Sequence, residues 1–506
     1  MSEDIRLRFA PSPTGPLHIG GLRTALYNYL IAKNLNGKFI LRIEDTDLSR
    51  FNPKAEEHII KSLIWCGLNP DESPEDPGKY GPYRQSERGT IYKKYVESLI
   101  DKGDAYYAFD KKEDLDELRK KDEKNGKTFI YNWENRKDLK NSISLSNEET
   151  KLNIKKGNYV IRYKIFDQKN KEENIFINDK IRGEISVDRK LLDDKIIFKN
   201  DGMPTYHFAN VVDDHLMKIS HVVRGEEWLP SLALHISLYE SFGWEKPIYA
   251  HLPLILKPTG KGKLSKRDGE KFGIPIYPIE WKDENETYSG FKELGFEEGA
   301  LINFISLIGW NPGNEKELYS IQELINDFKL ERIIKSGAKY DYNKALWFNQ
   351  EYIKNISSEK INENLGNKIK TKMNFLIDPD KVINLIDLVK ERVQFKKDIF
   401  NECVETLEYS SSLFNNNIGF FKNIKNIKSI LIELHNQIKD EKNKNIKEIY
   451  FSILNENNIK IGIGMKCLRL CITGRDKGPD LFQIINILKR KEILERLRES
   501  LKTIND

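Results

Sequence analysis

An α/β fold is predicted for this 506-residue chain: a parallel sheet split by an α+β insert, followed by a mostly α-helical region. Three observations predict it. The chain opens on a strand-helix-strand pattern, which is the unit of a parallel sheet. From about residue 110 to residue 156 the composition turns to Lys, Glu, Asp and Asn with few large apolar side chains, and strand-like alternation then returns. Residues 346 to 506 hold only 2 of the 18 prolines and 6 of the 31 glycines, and so long a span with few breakers favours helices.

Taken in order, Arg6 to Ala10 alternates and runs into the turn residues PSPTG, Leu22 to Leu35 carries apolar residues at helical spacing, and Lys38 to Ile43 reads as the next strand. Tyr159 to Phe166 and Ile175 to Val187 alternate within the insert. Alpha/beta character resumes at Ile196 to Phe198, passes through TYHFANVVDDH to a strand at Ile219 to Val223, and continues in a helix from near Leu229. The expected division is 1–109 and 196–256 for the two halves of the sheet domain, 110–195 for the insert, 257–345 for an intermediate region and 346–506 for the helical domain. Asn- and Lys-rich stretches in the last region, such as KDEKNKNIKEI, are interleaved with Ile, Leu and Phe and read as solvated helix faces.

Composition bounds the function. At about 150 residues per domain the length means several domains, which excludes a single small binding module. Hydrophobic residues at 39% and aromatics at 10% exclude a wholly disordered chain. With 83 Lys and Arg against 78 Asp and Glu, an acidic partner such as nucleic acid must meet a local basic surface, not a global field. Four cysteines, Cys66, Cys403, Cys467 and Cys471, form no CxxC pair and are too few for a disulfide scaffold, so a reducing cytoplasm fits best. The opening MSEDIRLRFAPSPTG has acids and no apolar core, and the apolar stretch from Ala300 to Trp310 is broken by Asn303 and Ser306; neither a signal peptide nor a membrane span is expected.

The strongest chemical signal is RFAPSPTGPLHIGG, residues 8–21, at the junction of the first strand and first helix. Such a junction offers backbone N–H groups and a positive helix end to phosphates. His18 stands there as a donor to an anionic oxygen, and Gly20 and Gly21 allow a nucleotide close approach. Alone, the stretch also fits a proline-rich turn with a capping histidine. The second signal is KGKLSKR, residues 261–267, four cations beside glycine. Alone it is a solvated surface run; paired with the first it suits a mobile loop closing on a polyphosphate.

PSPTGPLHIGG with KLSKR resembles the two signatures of class I aminoacyl-tRNA synthetases, and LRIEDTD, GPYRQSER, YHFANVVDDH and RGEEWL narrow the similarity to the glutamyl-tRNA synthetase family of the bacterial type, over essentially the whole chain. The resemblance implies a Rossmann-type catalytic domain split by an insert that grips the tRNA acceptor end, then a stem-contact region and a helical anticodon-binding domain. It implies ATP, travelling with Mg²⁺, L-glutamate and glutamate tRNA as substrates, and a monomer. By match to the family, Arg8, Ala10, Ser12, Glu44, Tyr206, Asn210 and Arg224 line the amino-acid pocket: Glu44 for the ammonium, Arg224 and Tyr206 for the side-chain carboxylate, Arg8 for a carboxylate left unspecified. Arginine binds carboxylate bidentately, which suits such a substrate. Read on the residues alone, Glu44 also fits a strand-end salt bridge with Arg42 or Arg50.

The same match puts ATP across the first signature, with adenine near Ile255 and Glu227, phosphates at His18, Gly20 and Gly21, and Lys263, Ser265, Lys266 and Arg267 closing on them; His18, Gly20, Lys263 and Lys266 would carry the catalysis. Arg162 in the insert, near the aromatics Tyr106, Tyr107 and Tyr163, would meet the tRNA acceptor end, and Arg392 the third anticodon base. Some relatives hold zinc in the insert through cysteines; residues 67–402 contain none, so no structural zinc or other bound metal is expected. Cys467 and Cys471 read as core residues one helical turn apart. The segment 268–290 is longer than the link in many relatives, which bears on loop movement, not on the reaction.

Three neighbouring readings are weighed. A glutaminyl enzyme of the same class reads anticodons with β-barrels, against the breaker-poor end here, and gives little reason to bury Arg224 beside a neutral amide. A short tRNA-modifying relative would end after the catalytic body. A non-catalytic tRNA-binding scaffold would show degenerate signatures, whereas His18, Gly20, Lys263, Ser265 and Lys266 are all present. Whether the enzyme charges glutamate tRNA alone or glutamine tRNA as well turns on Arg392.

Overall fold

The computed structural model describes residues 5–47, 49–168, 172–283, 286–440 and 445–504. It divides into two compact units, residues 1–294 with 298–342, and residues 295–297 with 343–506.

In the first unit the opening strand, Arg6–Phe9 (β1), is buried at every residue, as a central strand covered on both faces must be. Helix Ile19–Asn34 follows and returns the chain to Lys38–Leu41 (β2), parallel to β1 with Arg6 opposite Lys38 and Phe9 opposite Leu41. The strands of the two larger sheets continue with Ala105–Ala108 (β3), Val160–Tyr163 (β4), Asn174–Asp179 (β5), Gly183–Asp188 (β6), Ile196–Phe198 (β7), His221–Gly225 (β8) and Ile248–Leu252 (β9). The main sheet runs β2-β1-β8-β9-β5-β6, parallel except for the final β5–β6 hairpin, and β3-β4-β7 form a separate antiparallel sheet. Helix Tyr206–Leu216 leads into β8; helix Leu232–Phe242 follows it after a 3-10 stretch that contains Pro230, which cannot donate to a helical ladder.

This topology corrects two expected boundaries. The β5–β6 hairpin falls within the expected insert, 110–195, yet it extends the main sheet, with Asp179 opposite Tyr249 of β9. Conversely β3 and β7, expected in the two halves of the sheet domain, both pair with β4 of the insert. Alternation marks a strand without naming its partner. Here apolar burial decides: Ile175 and Ile177 of β5 share a core with Val222, Ile236 and Tyr249.

The second unit is helical, with no strand among its described residues. Ser358–Met373, Val382–Lys390, Ile427–Asp440 and Ile461–Thr473 are among the helices that bury Ile369, Leu385, Leu431 and Leu468 in one core. Cys467 and Cys471 lie in that core, and burial raises both thiols, Cys467 to about 12. Among the described residues no helix is long and apolar enough to cross a membrane.

Candidate active site

The first signature builds its site from the helix end upward. His18 is the N-cap of helix Ile19–Asn34, and the backbone N–H groups of Gly20 and Gly21 donate to its Nδ1 at 3.0 and 3.3 Å. Nδ1 is therefore the bare nitrogen, and Nε2 carries the ring's proton. Burial first, then Lys263 and Lys266, pull His18 down to about 4, so it serves as a neutral donor. The N–H groups of Gly20 and Gly21 are thus both taken by His18. Gly20 is required by the cap itself, since a Cβ there would stand 2.7 Å from His18 Cε1.

Arg8, Ala10, Ser12, His18, Gly20, Gly21, Glu44, Tyr206, Asn210, Arg224, Glu227, Ile255 and Lys263 line one cleft. Beneath it runs a buried charge network that the sequence does not announce. Arg8 donates through Nε (2.9 Å) and Nη2 (3.1 Å) to Asp214, so two of its three nitrogens are committed to the protein. Arg42 links Asp214 (2.7 Å) to Glu44 (2.8 Å), and Asn210 Nδ2 donates to the same Glu44 oxygen at 3.0 Å. The salt-bridge reading of Glu44 is thus realised, through Arg42. Burial raises the Glu44 carboxyl; Asp214 is held below the carboxylate range because Arg8 and Arg42 outweigh its burial.

Arg224 lines the same cleft. Its Nη1 reaches Tyr206 Oη at 3.4 Å, and its Nη2 is buried with no hydrogen-bond partner. A buried guanidinium nitrogen left without a partner calls for an anionic oxygen. Tyr206 stacks on Trp228 with ring centroids 4.3 Å apart, and burial raises its phenol to about 12, keeping the hydroxyl a donor.

Of the second signature only Lys263 lines the cleft. Its Nζ donates to Glu227 Oε1 at 2.9 Å across the mouth. Lys266 opens helix Lys266–Phe272, which Ser265 and Asp268 cap reciprocally, while Lys257 pairs with Asp268 at 3.1 Å. Ser265, Lys266 and Arg267 are exposed. Lys266 nevertheless stands against the first signature: a Cβ on Gly15 would be 2.9 Å from its Nζ. The extended segment after it is bonded to the same place. Ile19 N–H donates to Ile276 O (2.9 Å), and His58 accepts from Leu17 N–H at Nδ1 (3.2 Å) and donates from Nε2 to Ile279 O (3.1 Å).

Arg162, expected at the tRNA acceptor end, is buried, 3.8 Å over the Tyr131 ring, with Nη1 donating to Asp194 O at 2.7 Å, so it packs inside the insert and not on its surface. Tyr106 and Tyr163 are likewise buried, donating to Asp194 Oδ2 and Ser237 O. In the second unit Arg392 is half-exposed, 3.3 Å from Glu402, in a hollow shared with Arg469, Arg475 and Lys477.

Residues 4–347 match the family model for the class I tRNA synthetase (E and Q) catalytic domain, and residues 345–501 match an anticodon binding domain. The chain is 46% identical over its full length to the glutamate–tRNA ligases of Christiangramia forsetii and Flavobacterium johnsoniae, all of each protein being covered. It belongs to the glutamate–tRNA ligase family. The crystal structure of a glutamate tRNA ligase from Elizabethkingia meningosepticum, in complex with its amino acid, is 44% identical, covers 99% of this chain and all of its own, and superposes with a TM-score of 0.87. This member of the ligase family thus joins a class I catalytic sheet to a helical anticodon region.

Proposed function

We propose that the chain ligates L-glutamate to the 3′ end of glutamate tRNA through a glutamyl-adenylate, working as a cytoplasmic monomer. The observation that carries the reading is the buried, unpartnered Nη2 of Arg224, a residue that lines the same cleft as Glu44. Glutamate fits that polarity: its side-chain carboxylate on Arg224 and the Tyr206 hydroxyl, its ammonium toward Glu44, its α-carboxylate toward His18. ATP lies along the first signature, its adenine beside Ile255 and its phosphates between His18 and the two lysines; Mg²⁺ belongs to the ATP phosphates as part of the substrate.

The α-carboxylate oxygen attacks the α-phosphorus in line, the bond to the bridging oxygen breaks, and pyrophosphate leaves. A terminal ribose hydroxyl of tRNA then attacks the glutamyl carbonyl, and AMP leaves. No covalent enzyme nucleophile is needed; positioning and charge stabilisation carry the rate. His18 Nε2–H and Lys266 serve the charge that grows on the phosphate oxygens. Lys263 must exchange Glu227 for phosphate. Residues 257–342 and the helical unit supply the further tRNA contacts, Arg392 among them.

The deciding experiment charges purified glutamate tRNA and glutamine tRNA separately with labelled glutamate and ATP. Glutamate on its own tRNA alone establishes a discriminating enzyme. Glutamate on both keeps the chemistry and removes Arg392 as discriminator; charging of neither overturns the proposal.

A further inference from the structure

Arg224 is held from behind by residues that no linear motif brings together. Asp179 ends β5, His251 lies in β9 and Arg224 in β8, and the sheet order makes them neighbours. His251 is the register partner of Arg224, and Asp179 stands opposite Tyr249, two residues before His251 and so on the same face. All three are buried, His251 and Asp179 almost completely. Arg224 Nε is 3.0 Å from His251 Nε2, and His251 Nδ1 is 2.6 Å from Asp179 Oδ2.

The protons can be assigned. Arginine only donates, so His251 Nε2 is the bare nitrogen and Nδ1–H donates to Asp179. On the other edge of the guanidinium, Nη1 is 3.4 Å from His235 Nδ1, which must likewise accept, leaving its Nε2–H to donate to His207 Nδ1 at 3.1 Å. Nε and Nη1 are thereby taken, and Nη2 alone is left buried without a partner. Burial keeps His251 below its ordinary value against the pull of Asp179, in keeping with a neutral ring. The arrangement has a physical merit: a carboxylate directly on Arg224 would spend its charge, whereas a neutral imidazole pins the guanidinium plane and keeps the anion one ring away.

We propose that Asp179 and His251 are positioning residues for amino-acid selection, fixing the rotation of Arg224 so that Nη2 meets the side-chain carboxylate of glutamate. The proposal rests on the reading of Arg224 as the receptor for that carboxylate.

The incisive variant is Asp179→Asn. Oδ1 of Asp179 accepts backbone N–H groups from Ile181 (3.0 Å), Arg182 (2.8 Å) and His251 (3.3 Å), so an asparagine must keep its carbonyl there and turn its NH₂ toward His251. The proton of His251 then moves to Nε2, donor against donor with Arg224. Size and turn are kept; only the tautomer changes. Steady-state charging of glutamate tRNA by the full-length enzyme should show KM for glutamate raised about 10-fold or more, with KM for ATP and kcat at saturating glutamate changed less than about 3-fold. The glutamate-over-glutamine ratio of kcat/KM should fall with it. His251→Gln, which can present an amide oxygen to Nε, should hold KM for glutamate within about 3-fold, whereas His251→Leu should behave as Asp179→Asn.

An unchanged glutamate KM in Asp179→Asn, or losses spread equally over ATP and kcat, overturns the proposal. If Asp179→Asn fails to fold, the two His251 variants decide, and equal glutamate KM values for them overturn it. Arg224→Ala separates the two levels: an unchanged glutamate KM there sinks the pocket reading itself, while a raised one with a normal Asp179→Asn sinks only the positioning role.

Discussion

The two lysines of the second signature are placed differently, and the difference sets what each can do. Lys263 is ion-paired to Glu227, so part of what it offers a phosphate is the exchange of one anion for another. Lys266 stands over Gly15 of the first signature, with no carboxylate paired to it among the described residues. A cation aimed at charge that develops in the transition state acts on turnover more than on binding. Lys266→Ala should therefore lower kcat roughly 100-fold while KM for ATP moves only a few-fold. Steady-state charging kinetics check it, and an unchanged kcat removes Lys266 from the chemistry. Lys266 and His18 were legible because their motifs are linear and their neighbours in sequence are their neighbours in space. Arg162 was not: alternation puts its side chain on one face of β4, but only the packing of Tyr131 shows that this face is covered. Asp179 and His251 gave no signal at all, lying 72 residues apart in segments that carry no motif.

At the scale of the element, the first helix and its cap are one device. His18 accepts two backbone N–H groups and keeps a third, its own Nε2–H, for the cleft. The two duties separate by substitution. His18→Ala removes both and should cost about 1 kcal/mol of stability with the lost cap, besides its loss of activity. His18→Asn keeps an oxygen where Nδ1 stood, a good N-cap, but has no ring N–H to reach a phosphate. It should melt near the parent while kcat falls about 100-fold or more. Differential scanning calorimetry beside charging kinetics makes the comparison, and an asparagine variant with parental turnover would sink the donor role. The helix itself was readable since its turn residues, glycines and apolar spacing are local. The β5–β6 hairpin was readable as two strands but not as an edge of the main sheet, because its partner β9 is fixed by long-range burial of Ile175 and Ile177.

For the whole molecule, the second unit encloses its own core of helices, which predicts that a fragment of residues 343–506 folds alone. Circular dichroism should show a helical signal with a cooperative melt; a featureless melt would contradict it. The fragment lacks the Lys396–Glu297 pair and the hydrogen bond from Glu297 N–H to Asn349, so its midpoint should lie below that of the same unit in the whole chain. The first unit makes a different demand, through buried carboxylates. Glu72 pairs with Arg6 at 2.6 Å and accepts from Tyr83; burial alone would raise it, but these partners hold it near 2, below an ordinary 4.5. Asp214 and Asp179 are lowered as well, while Glu44 is raised by burial and works the other way. A carboxylate depressed in the folded state stabilises above its unfolded pKa, and that contribution is lost as pH falls through the folded one. For Glu72 the window is from about 4.5 down to about 2. Urea midpoints measured across that window should fall steeply for the parent, because the unfolded chain binds protons that the folded chain refuses. Glu72→Gln should be less stable at neutral pH by about 3 to 5 kcal/mol, since it strands a buried Arg6. Its acid slope should be shallower, because the proton uptake of Glu72 on unfolding is gone; a slope equal to the parent's would place the acid sensitivity elsewhere in the molecule.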